Sequence, residues 1–215
     1  MGLGCVFLGD PFGATDEGVM QETLKTAWDE GIRYFDTAPW YGNTKSEHRL
    51  GYFLRQQLRN EFTIATKVGR VYSRPDDLEK FSASPWMERW KGGLKFDLTF
   101  DYTGDGVIRS YEDSLNRMGL NAIDALAIHD LDLKHHGNWE TVTEYLDQLS
   151  NEKGYRTLRD LKDSGEIKAI GVGINHIGMI PAFLERFEVD YFLVAMPYTL
   201  LDQPALDEEF GLCEA

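Results

Sequence analysis

The stretch "GIRYFDTAPWYG", Gly31 to Gly42, runs from a glycine through a short apolar alternation into Asp36, then through Thr37, Ala38 and Pro39 to Tyr41 before the next glycine. The residues before it, "DEGVMQETLKTAWDEG", place Val19, Thr23, Ala27 and Trp28 near one face of a helix that ends at Gly31, a natural C-terminal cap. "IRYFD" (32 to 36) then reads as a buried strand closed by a carboxylate, with an aromatic hydroxyl following within five residues. Helix, glycine, strand and polar loop is the order of an α/β unit.

The plan repeats along the chain. Apolar, β-rich runs occur at "LGCVFL" (3 to 8), "IRYFD" (32 to 36), "FTIAT" (62 to 66), "IDALAIH" (123 to 129), "IKAIGVGI" (167 to 174) and "VDYFLVAM" (189 to 196). Amphipathic stretches such as "SEHRLGYFLRQQL", "GDGVIRSYEDSLNRMGL", "GYRTLRDLKDSGE" and "IGMIPAFLERF" lie between them. Alternation of this kind implies right-handed crossovers and a parallel sheet covered by helices. A doubly wound nucleotide-binding sheet should carry a GxGxxG turn after its first strand, and "FLGDPFGATDEG" lacks that spacing. A (β/α)8 barrel is therefore favoured. Such a barrel typically takes about 250 residues, so this chain is expected to hold about six βα units, an incomplete barrel two units short.

One domain is expected over residues 1–215, with no linker or low-complexity tract. Residues 68–106 form a long connection rich in Pro, Gly, Asp and aromatics and without a helical period. A loop of that length is expected to cover the C-terminal face of the strands, as a lid or as packing on the barrel wall.

With 42% hydrophobic residues the chain can bury a substantial core, and a formal net charge of −14 without a Lys/Arg run argues against nucleic acid or an anionic membrane as partner. Cys5 and Cys213 suggest no disulfide framework, and no CxxC or His/Cys cluster proposes a metal site. The start "MGLGCVFLGD" lacks the basic region and apolar core of a signal peptide and departs from a myristoylation site at Val6. No 18-residue apolar run spans a bilayer, so a cytoplasmic location and a small-molecule substrate are expected.

Chemistry in parallel barrels sits at strand C-terminal ends. Asp36, Tyr41 just after it, Lys67 in "IATKVG" and His129 in "LAIHD" would all reach one rim. Singly, each has an ordinary reading: a turn cap, a core aromatic, a rim charge, a satisfied histidine beside Asp130. Together they form a chemical set. A buried lysine needs a partner, which Asp36 supplies; the ammonium is expected to lower the pKa of Tyr41; and His129 can hydrogen-bond the same substrate oxygen. Such a site adds or removes a hydroxyl proton as hydride moves at carbon, and no side chain supplies hydride, which implies a nicotinamide cofactor. Trp40 and Trp86 are candidates for a flat wall against the substrate.

The segments "GIRYFDTAPWYGNTKSEHRLG", "TKVGR", "DALAIHD" and "GEIKAIGVGINH" resemble the aldo-keto reductase family over essentially the whole chain. The resemblance implies a (β/α)8 barrel that binds NADP or NAD, and a catalytic tetrad of Asp36, Tyr41, Lys67 and His129. It also implies Asn175, with Asp36, as the cofactor-binding candidate, although relatives that read Gly-Val-Ser-Asn are offset by one residue from "GVGINH". "IHDLDLKHHG" and "YTLLDQPAL" resemble the branch of D-threo-aldose 1-dehydrogenases and pyridoxal 4-dehydrogenase, which implies an aldose, pyridoxal or another aldehyde as substrate. In the family a seventh and an eighth strand follow, with the loops that grip most of the cofactor. Two expectations result: self-association through the open barrel edge together with weak cofactor binding, and, as the alternative to an active enzyme, a non-catalytic binding or assembly subunit.

Overall fold

The computed structural model describes residues 1–195 and 198–213, apart from the side chains of Trp86 and Glu208. Its main sheet is parallel and six-stranded, in the order β1 (Gly2–Gly4), β2 (Tyr34–Asp36), β3 (Thr63–Val68), β6 (Ala125–His129), β7 (Ala169–Ile174) and β8 (Tyr191–Val194). β4 (Arg70–Ser73) and β5 (Asp97–Phe100) form a separate antiparallel pair. Neighbours in the sheet follow chain order, as a barrel wall requires, and among the described residues β1 and β8 are its two edges.

The pleat sorts the residues. Phe35, Ile64, Leu126, Ile128, Ile170 and Val172 all share the hydrophobic core. The registers Asp36↔Ala65, Lys67↔Ala127, His129↔Gly173 and Gly171↔Tyr191 put the alternate set on the opposite face. That inner face is small or polar: glycine and alanine, with Asp36, Lys67 and His129 at one end. Tyr191 and Tyr34 fill the space over two of its glycines, since a Cβ on Gly171 would sit 2.2 Å from the Tyr191 ring and one on Gly2 2.4 Å from that of Tyr34.

Helices cover the outer face: α1 (Glu17–Asp29), α2 (Lys45–Leu54), α5 (Gly104–Met118), α7 (Trp139–Asn151), α8 (Gly154–Asp163) and α9 (Met179–Leu184). Short helices α3 (Leu78–Ser82), α4 (Pro85–Arg89), α6 (Leu133–His136) and α10 (Pro204–Glu208) lie in connections. α5 shows why its sequence is helical: Thr103 accepts from the Gly106 amide at the start, and Gly119 closes the end at φ 62°. Gly31 likewise ends α1's turn at φ 89°.

Four expectations are corrected. The run 3 to 8 is not one strand: after Gly4 the chain enters a 3-10 turn over Val6–Gly9. Gly9 there lies against the loop that holds Tyr41, where a Cβ would be 2.4 Å from the Gly42 nitrogen, so the backbone must turn in to meet it. On α1, Val19 is 52% exposed and Thr23 faces outward, whereas Leu24 is fully buried. Trp28 of the same helix stacks on Phe35 and meets Phe53 and Phe62 edge-on. The connection 68–106 is more regular than its composition suggests, holding β4, β5, α3 and α4, while α7, a 13-residue helix, has no counterpart in the sequence reading. The last strand covers Tyr191–Val194 only, and Met196 lies outside the described residues.

Candidate active site

Asp36 ends β2, Lys67 lies one residue before the end of β3 and His129 ends β6, so all three leave the inner face at the same rim. Lys67 Nζ donates to Asp36 Oδ1 at 2.7 Å and to the Thr37 carbonyl at 2.7 Å. The ammonium is 1% exposed. Burial disfavours its charge, but the Asp36 carboxylate and the Tyr41 hydroxyl outweigh that, and its pKa is raised. Lys67 is therefore a permanent cation.

Tyr41 is placed by an unusual loop. Gly42, Asn43 and Thr44 follow it with φ of 70°, 49° and 81°, and a β-branched residue in that region is strained. The loop is held by Asn43, which donates to the Leu94 carbonyl at 3.1 Å, and by Lys45, whose Nζ donates to Asp10 at 2.8 Å. The Tyr41 ring stands 5.1 Å from Lys67 Nζ and 5.9 Å, edge-on, from the His129 ring. The expected lowering of its pKa is corrected. Burial raises the phenol and Asp36 and Asp130 add to it, so Lys67, although it pulls the other way, does not prevail. Tyr41 is a protonated phenol at neutral pH.

His129 Nδ1 lies 2.8 Å from Arg70 Nη1, and its Nε2 lies 3.1 Å from Asp130 Oδ2. Burial, Arg70, Lys67 and His135 all push its pKa well below the ordinary histidine value. Trp40 is buried beside it, with ring centroids 6.0 Å apart, and Trp90 crosses Trp40 at 5.6 Å and 88°. Trp90 comes from the 68–106 excursion, which is also bonded through Gly92 to Asp10 and through Leu94 to Gly42. The side chain of Trp86 lies outside those described.

A cleft of about 240 Å³ opens here, lined by Tyr41, Lys67, His129, Trp40, Gly173 and Asn175 among others. A larger hollow of about 650 Å³ lies on the outer face beside Lys45, Arg49 and Arg117, away from this chemistry. Three of the cations that line it are paired within the protein, Lys45 and Arg49 with Asp10 and Arg117 with Glu47, and Arg55 lies over the Tyr52 ring. In the smaller cleft Gly173 leaves the wall bare: a Cβ there would lie 3.6 Å from Lys67 Cε and 3.9 Å from His129 Cδ2. No side chain projects from that position of the floor. Asp36 Oδ2 is buried without a partner in the same place. Asn175 reaches the rim, but its Nδ2 donates to Asp130 at 2.7 Å and its Oδ1 accepts from Lys134 at 3.2 Å. Asp130, Asp132 and His135 are the one group of potential metal-binding side chains among the described residues, and their atoms are taken up by one another, Arg70 and Asn175.

The family model of the aldo/keto reductases matches residues 1–214. The chain belongs to this family. It is 36% identical to the pyridoxal 4-dehydrogenase of Microbacterium luteolum, covering 100% of this chain and 63% of that protein. It is 34% identical to the D-threo-aldose 1-dehydrogenase of a Pseudomonas species, covering 99% and 61%. An aldo-keto reductase structure from Bacillus halodurans superposes with a TM-score of 0.71 at 23% identity, over 100% of this chain and 58% of that one. This aldo/keto reductase thus spans about three-fifths of the length of the curated relatives it matches.

Arg70 is the site residue that sequence reasoning missed. It stands in the quoted "TKVGR", but the residue that aims it is Gly69, whose φ of 103° bends the chain from β3 into β4. Nothing in a linear pattern distinguishes such a bend from a strand end.

Proposed function

We propose that this aldo/keto reductase is an NAD(P)-dependent oxidoreductase acting at a sugar hemiacetal or small aldehyde, with Tyr41 as the proton-transfer residue. The observation that carries the reading is the pairing of Lys67 with Asp36 at 2.7 Å beneath the Tyr41 ring. A nicotinamide, held along Gly173, Ile174 and Asn175, would supply or accept the hydride when bound. The protein's own residues handle the proton. Tyr41, protonated at neutral pH, gives its proton to an oxygen that gains negative charge; Lys67, kept charged by Asp36, steadies the phenolate that remains. The neutral His129 orients the same oxygen, Trp40 forms an apolar wall, and the 68–106 excursion covers the site through Trp90 and excludes water. Similarity to the pyridoxal and D-threo-aldose dehydrogenases supports pyridoxal or an aldose as substrate.

The test is turnover with pyridoxal and L-fucose, each with NAD and NADP. Tyr41→Phe should lower kcat by about 100-fold to 10,000-fold; a loss within about threefold removes Tyr41 from the role. The raised pKa of Tyr41 also sets a direction. Oxidation needs the phenolate and should accelerate as pH rises towards that value, whereas reduction uses the phenol and should not. Activity confined to steroids or long aliphatic aldehydes would break the substrate reading.

A further inference from the structure

We infer that Arg70 is a positioning residue, which holds His129 as the neutral tautomer with its proton on Nε2 and so decides how that histidine can meet a substrate oxygen. Arginine has no acceptor and does not deprotonate in proteins, so at 2.8 Å from Nη1 the Nδ1 of His129 must be the acceptor. The other nitrogen lies 3.1 Å from Asp130 Oδ2 but makes no hydrogen bond to it, so its N–H is left for a substrate oxygen. An obligate donor at Nδ1 requires a lone pair there, which fixes both the neutral charge and the Nε2–H tautomer of the ring.

Arg70 is itself built in. It is 2% exposed, its Nη2 donates to Asp130 Oδ2 at 3.0 Å, and its guanidinium lies 4.4 Å from the Trp40 ring and 5.1 Å from that of Phe100. One planar fork therefore grips the histidine and the next residue of the chain together, a geometry that lysine cannot reproduce. Asp130 is held in a left-handed conformation at φ 49°, with its amide bonded to the Gly173 carbonyl. The charged and titratable groups that face His129 are Lys67, Arg70, Asp130, His135 and Tyr41. Lys67, Arg70 and His135 oppose an imidazolium, and Asp130 favours one. Without Arg70, Asp130 would lose its strongest partner and the balance would move towards protonation.

The inference rests on the reading of His129 as the group that meets the substrate oxygen, but its test does not need turnover. Two-dimensional 15N–1H spectra of the unliganded chain, labelled at histidine and assigned with His129→Gln, report the tautomer directly. The Nε2–H pattern is expected for His129 between pH 5 and 8, a window set by the ordinary histidine value of about 6.5. In Arg70→Met, or in Arg70→Lys should the first fail to fold, His129 should titrate within that window. Its reduction activity should then fall about tenfold per pH unit below the new pKa. A wild-type Nδ1–H pattern, or a variant spectrum that does not change, overturns the inference. An intact Nε2–H pattern in a protein without turnover would instead break the functional reading and leave the role of Arg70 standing.

Discussion

β6 and β8 belong to the same sheet, yet all five residues of β6 are buried and all four of β8 are only half-buried. β6 has a parallel neighbour on each side, whereas β8 pairs with β7 alone. The buried ion pairs follow the same division. Lys67–Asp36, Arg70–Asp130, Arg49–Asp10 and Arg117–Glu47 lie around the first three strands and β6, while the pairs nearest β8, such as Lys162–Asp190, are partly exposed. The flank that carries Asp36, Tyr41, Lys67 and His129 is fixed by sheet hydrogen bonds, core and charge together. The flank beyond β7 has fewer of these constraints.

The contrast breaks most readily at the ion pairs. Lys67→Met leaves Asp36 buried and uncompensated, with an oxygen that already lacks a partner, and should cost about 3–5 kcal/mol of stability. Lys162→Met removes a pair whose members are 28% and 37% exposed and should cost less than about 1 kcal/mol. Denaturant midpoints of the two variants decide between the flanks. Equal losses would mean that burial does not separate them.

Acid should act on the first flank next. His129 and His136 are both held neutral by burial and by nearby Arg70, His136 with its pKa lowered to about 4. Since the unfolded chain takes up these protons near pH 6.5 and the folded chain does not, stability is fully present above that pH. It is lost as pH falls from about 6.5 towards 4, at up to about 1.4 kcal/mol per pH unit for each histidine. His129→Gln should flatten that slope by one proton; an unchanged slope would place the uptake elsewhere.

Much of this architecture is legible in the sequence, for physical reasons that also mark the limits. Period-two runs ending in Asp36, Lys67 and His129 expose both the strands and the rim, because a polar residue at the end of an apolar strand has few places to go. The end of the first strand is not legible because Cys5, Val6, Phe7 and Leu8 continue its apolar run, while the cause of the turn, the approach of Gly9 to Gly42, is tertiary. The inner face of α1 is ambiguous in the sequence because Val19 and Leu24 are equally apolar and only packing selects Leu24. The direction of the Tyr41 pKa is not legible because proximity to Lys67 can be inferred from strand order, whereas the extent of burial cannot.

The smallest effect on stability, and the sharpest test of the second flank, is expected at its surface. Leu200 and Leu201 are 98% and 99% exposed, Tyr198, Leu206 and Leu212 are exposed near them in sequence, and β8 has no sheet neighbour on its outer side among the described residues. Unpaired strand edges and exposed apolar side chains favour association, although an edge of four residues is short and a net charge of −14 on each copy repels. The 215-residue chain is therefore expected to self-associate through this flank, and more so as salt rises, because screening removes the repulsion while the apolar contact persists. Replacing Leu200 and Leu201 by serine should change stability by less than about 0.5 kcal/mol, since neither side chain is packed. The same variant should shift the mass from size-exclusion chromatography with light scattering towards that of one chain. A wild-type protein that stays monomeric from low to high salt would show that the half-buried strand is covered well enough by α9 and residues 204–213, and the two flanks would then differ in packing density without differing in behaviour.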